Sequence, residues 1–126
     1  MPVLERLTGL RVVADPAALD GARWQGDDVT ILRVAPDDAF GLGAFTVEVD
    51  DEHAIVEAEA GYFGMWLPIE DIVPHLEWPL PSERPVLVQG AIAGVPAKLW
   101  LVDADDADAL LLTAAPYAAE LVGRLR

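Results

Sequence analysis

The stretch 86–102, VLVQGAIAGVPAKLWLV, decides the reading of this chain. Two apolar runs, Val86–Ile92 and Ala97–Val102, flank Ala93-Gly94-Val95-Pro96, where Gly and Pro mark a turn. The pattern predicts two strands joined by that turn. Residues 103–108, DADDAD, then predict a polar turn, and Ala109–Thr113 (ALLLT) predicts one more short strand. Pro116–Leu125 predicts a closing helix, because Pro116 suits a first turn and Ala118, Leu121, Val122 and Leu125 share one face.

Reading back from residue 86, Trp78–Pro85 (WPLPSERP) holds three prolines and predicts a loop. Pro68–Leu76 (PIEDIVPHL) places Ile69, Ile72, Val73 and Leu76 at helical spacing, with Glu70 and Asp71 at the positive end of the helix dipole. Pro74 is expected to end or kink that helix, since it removes a backbone donor. Val29–Ala35 (VTILRVA) predicts a buried strand and Pro36-Asp37-Asp38 a turn. Phe40–Asp50 is strand-like from Ala44, and Ala54–Ala60 alternates again beyond the turn Asp51-Glu52-His53. These two segments predict a second hairpin. Arg11–Ala14 predicts a short strand. Asp15-Pro16 offers an N-cap with Pro at the first helical position, so Pro16–Asp20 is expected to form one helical turn closed by Gly21. Leu4–Leu10 suits a short helix or an irregular lead-in, and Gly61–Leu67 (GYFGMWL) fits no single element. Strands, a middle helix, three strands and a final helix predict an α+β, two-layer sandwich. Its sheet is expected to be mostly antiparallel with two or three short helices on one face, ferredoxin-like in its pairing.

The 126 residues fit one domain, 1–126. Hydrophobic residues make up 53%, too rich for a disordered chain. Eight basic residues face 22 acidic ones, a net charge of −14. That field repels nucleic-acid phosphates and anionic lipid, so neither nucleic acid nor membrane is an expected partner. No stretch approaches the ~20 apolar residues of a membrane span, no signal peptide is visible, and a cytoplasmic location is expected. The absence of cysteine excludes disulfides, thiolate metal sites and nucleophilic thiol chemistry.

No catalytic constellation emerges from the remaining residues. His53 and His75 lie in different elements without metal-ligand spacing, and each is expected on the surface. Ser82, the only serine, sits in the proline-rich loop without a Gly-x-Ser-x-Gly elbow. Counted from Asp103, the cluster Asp103, Asp105, Asp106 and Asp108 puts Asp108 and Ala114 where a calcium loop needs Gly and Glu. Gly41-Leu42-Gly43 is followed by a strand rather than by the third glycine and helix of a dinucleotide loop. No glycine-rich loop precedes Lys98, the only lysine. The carboxylate pairs Asp27/Asp28, Asp37/Asp38, Glu57/Glu59 and Glu70/Asp71 are expected by chance in so acidic a chain. The chain is therefore expected not to be an enzyme and to carry no cofactor and no metal.

Tyr62, Phe63, Met65, Trp66 and Trp78 bracket the middle helix, and such residues fill both cores and interface centres. As an interface they would serve a protein partner or a homo-oligomer. An alternative is a small-molecule binding domain that takes a folate-like or cationic ligand.

Ala91–Leu101 (AIAGVPAKLWL), an acidic turn, and Ala109–Leu125 (ALLLTAAPYAAELVGRL) resemble the end of the sarcosine oxidase gamma subunit. Val29–Asp37 (VTILRVAPD) resembles the early strand and Pro-Asp turn of that family. The resemblance implies a fold like the folate-binding domain of glycine-cleavage T-proteins. It also implies a non-catalytic component of a heteromeric flavoenzyme, with the flavin and substrate chemistry on other subunits. No cofactor-binding residue carries over, and Ala114-Ala115 stands where the family has a basic residue.

Overall fold

The computed structural model describes residues 4–103 and 108–125. The chain is α+β, with antiparallel strands and a few short helices, as the sequence predicts. Strands β1 (Glu5–Val13), β2 (Arg23–Ala35), β3 (Asp38–Glu48), β4 (Ile55–Leu67), β5 (Val86–Ile92), β6 (Val95–Leu101) and β7 (Ala109–Ala114) alternate with helices α1 (Pro16–Asp20), α2 (Ile69–Ile72) and α3 (Ala118–Arg124). Two compact units are present. One holds residues 7–61, and the other holds residues 1–6 with 62–126. Strands β1 and β4 run through both.

In the 7–61 unit the strand order is β2-β3-β1-β4. The β2–β3 and β3–β1 pairings are antiparallel, with Leu32 opposite Phe40 and Val12 opposite Ala39. Leu4–Leu10 is not a helix or an irregular lead-in. Its residues from Glu5 onward belong to β1, because pairing with β3 over Gly9–Val13 supplies backbone partners that the local Thr8-Gly9 sequence cannot supply in a helix. The expected hairpin between residues 44–50 and 54–60 does not form. Strand β1 lies between β3 and β4, and β3 makes its hairpin with β2 across the turn at Pro36-Asp37.

Helix α1 starts as its sequence predicts, with the Asp15 carboxylate accepting from the Ala18 N–H at 3.4 Å and Pro16 in the first turn. It buries Leu19 against Val12, Ala14 and Ala39, and Trp24, Val47, Val49 and Ala54 pack around them. Within the β2–β3 hairpin the register shifts between Gly26 and Thr30. Gly43, at φ +84°, faces this bulge, and a Cβ there would collide with the Asp27 carbonyl. Gly41-Leu42-Gly43 thus lies wholly within β3.

In the other unit the order is β4-β7-β6-β5, and all three pairings are antiparallel. Gly61–Leu67, unassigned from sequence, completes β4. Hydrogen bonding to β7 decides it, with Tyr62 opposite Ala114 and Leu67 opposite Ala109. The turn of the 86–102 hairpin is only Ala93-Gly94, so β6 starts at Val95, two residues earlier than expected. Positive φ at both turn residues, 52° and 79°, matches the strand twist.

The middle helix is interrupted as Pro74 requires. The α-helix ends at Ile72, and Val73–His75 tightens into a 3-10 turn. Pro116 likewise lies in a 3-10 turn, Ala115–Tyr117, before α3. Ile72 and Leu121 bury themselves with Ile92, Leu99, Leu101 and Leu111. Both helices therefore cover one face of the four-stranded sheet, a two-layer arrangement. Thr113 is the one buried polar residue among the described residues, and its hydroxyl donates to the Pro96 carbonyl at 2.8 Å.

Candidate functional site

Side chains alternate across a strand, so the face that α2 and α3 leave can be read from the registers. Met65, Leu67, Leu99 and Leu111 face the helices. Their neighbours face the other way and form lateral rows. One row runs Trp66–Leu110–Trp100–Leu87 across β4, β7, β6 and β5. The next runs Gly64–Leu112–Lys98–Gln89. Tyr62 and Ala114 begin a third.

Leu110 and Leu112 are buried in the middle of these rows, whereas Trp66 keeps 47% of its surface in solvent. Trp100 and Leu87 are half-buried. Lys98 is the only charged side chain in the rows. It donates to Gln89 Oε1 at 2.9 Å, and its ammonium stands 5.9 Å from the Tyr62 ring centroid. Beside it a cavity of about 410 Å³ is lined by Tyr62, Gln89, Pro96, Lys98, Thr113 and Tyr117, among others. Among the described residues no carboxylate lines this cavity.

The five aromatic and Met residues singled out from sequence fall into three settings. Tyr62 and Trp66 share the face of Leu110 and Leu112 with Trp100. Phe63 and Met65 point to the opposite side. Met65 packs on the core, and the Arg6 guanidinium lies 4.8 Å from the Phe63 ring centroid. Trp78 packs against the same core, and its indole N–H donates to the Ala91 carbonyl at 2.9 Å. Trp100 and Leu87 were missed. The alternation Lys98-Leu99-Trp100-Leu101 carried the signal, because it sets Trp100 apart from the two buried leucines.

His53 is exposed, 3.4 Å from Glu52, and His75 is half-buried at the end of the 3-10 turn. Among the described residues no group of three or more His, Cys, Asp or Glu is placed to hold a metal ion. Asp105 and Asp106 of the acidic cluster lie outside the described residues. No helix among the described residues is long and apolar enough to cross a membrane. The Asp51 carboxyl has a lowered pKa. Backbone N–H groups of Asp15 and His53, at 2.8 and 2.9 Å, hold it below its ordinary value of 3.8. It ties the 50–54 turn to the start of α1, a structural task rather than a chemical one. Comparison with known families, curated proteins and solved structures returns no match.

Proposed function

We propose that this chain is a non-catalytic, cytoplasmic accessory domain that docks on another protein through the Trp66–Trp100 face. On this reading its fold is like that of the T-protein folate-binding domain, and its role is like that of the gamma subunit of a heteromeric flavoenzyme. One observation carries the reading. In a chain of net charge −14, two tryptophans and a leucine share paired rows of a sheet face whose only charged side chain among the described residues is Lys98. Interface centres lose charged residues and gain aromatic ones in just this way. A half-exposed Trp66 also leaves apolar surface in water that a partner would remove, at roughly 25 cal/mol per Å².

The test pairs Trp66→Ala with affinity for the host protein that co-purifies with the tagged chain. Truncating a central interface tryptophan costs about 2 kcal/mol or more, so affinity should fall roughly 30-fold. The melting temperature should stay nearly constant, because Trp66 is already half in solvent. Unchanged affinity in Trp66→Ala would overturn the reading. So would a clean monomer that recovers no partner.

A further inference from the structure

Strand β4 is more than twice as long as its neighbour β7, with 13 residues against six. The register ends at Tyr62 opposite Ala114, after which the chain leaves the sheet as the 3-10 turn Ala115–Tyr117. The other neighbour of β4 in the sheet is β1. Along Ile55–Glu59, therefore, no strand of the described residues occupies the side that β7 takes further on. Solvent reaches both faces of this stretch. Ile55 is 54% exposed, Val56 is 48% exposed, and Glu57 and Ala58 are exposed as well. Sheet edges are normally blunted by proline, bulges or lysine, because an open row of N–H and C=O groups is a template for another strand. Ile55–Glu59 has neither proline nor lysine, and its only charged side chains are Glu57 and Glu59.

The side chains narrow the choice of occupant. Ile55, Glu57 and Glu59 fall on one face by alternation, and Val56 and Ala58 fall on the other. A second copy paired antiparallel about Ala58 would set Glu57 of each copy opposite Glu59 of the other. Like charges directly opposite are destabilising, and each molecule already carries −14. A strand with Lys or Arg at alternate positions and apolar residues between them meets both faces. It places cations against Glu57 and Glu59 and apolar groups against Val56 and Ala58. From this geometry we infer that the Ile55–Glu59 edge binds an extended, cationic segment of another polypeptide by strand addition. This site is separate from the Trp66–Trp100 face and stands without it.

The probe is a capped nine-residue peptide alternating Lys and Val. Its controls are the same peptide N-methylated at alternate residues, which keeps the charge but cannot pair as a strand, and a Glu/Val peptide. The Lys/Val peptide should bind and slow amide hydrogen exchange within Ile55–Glu59. The N-methylated and Glu/Val peptides should do neither. In E57K/E59K, checked for an unchanged circular dichroism spectrum, affinity for the Lys/Val peptide should fall about tenfold and the Glu/Val peptide should now bind. Trp66→Ala should leave these affinities unchanged, so failure here is distinct from failure of the docking face. Equal binding of the N-methylated peptide would reduce the effect to bulk charge and overturn the inference. Protection confined to another strand, or a dimer of the chain protecting the same amides, would also overturn it.

Discussion

At Ala93 the backbone takes φ +52°, a left-handed conformation that costs a non-glycine residue roughly 1 kcal/mol. Asn tolerates that region and favours the first position of this turn type ahead of Gly94. Ala93→Asn should therefore raise the melting temperature by about 2–6 °C, since roughly 1 kcal/mol shifts a domain of this size by that order. Calorimetry decides it, and a lower melting temperature would contradict the turn geometry. Asp51 makes a second prediction at this scale. Its folded pKa lies below the value of the unfolded chain, so its contribution is full above ordinary carboxylate pH and is lost as pH falls through the folded pKa. Asp51→Ala should thus lose more stability near neutral pH than in strong acid. An NMR titration should also find the Asp51 carboxyl titrating below the reference value of 3.8.

At the scale of elements, the outer side of β5 is held by the segment that follows α2. Leu76 bridges Ile92, the Ala93 N–H donates to the His75 carbonyl at 2.9 Å, and Trp78 lies over Gly90. The three prolines at 79, 81 and 85 keep this segment irregular, so one side chain does much of the anchoring. Trp78→Ala should cost about 2 kcal/mol, below the range for a fully buried tryptophan because Trp78 is only half-buried. Amide exchange should rise over Gly90–Ile92 and stay unchanged in β1. An unaltered β5 would mean that the Leu76 bridge alone secures the edge. The contrast with β4 is physical. The β5 edge is covered by a loop and a tryptophan, whereas Ile55–Glu59 carries only its glutamates.

At the scale of the whole molecule, composition and periodicity determined the α+β class, the start of α1, the break at Pro74, and the strand pair on either side of residue 94. These follow from local chemistry: proline removes a donor, glycine adopts positive φ, and Asp caps a helix. The same level of reasoning shows a charge that repels nucleic acid. It does not separate Trp66 from Met65 or Trp78, because all three are large and apolar and composition gives them the same reading. Only tertiary structure decided that Tyr62 and Trp66 share a face with Trp100, that β1 enters the sheet between β3 and β4, and that β4 outruns β7. Each of these depends on which distant backbone supplies the hydrogen-bond partners. A strand's own residues state that it must be paired, and a one-residue slip in that pairing would turn every side chain to the other face.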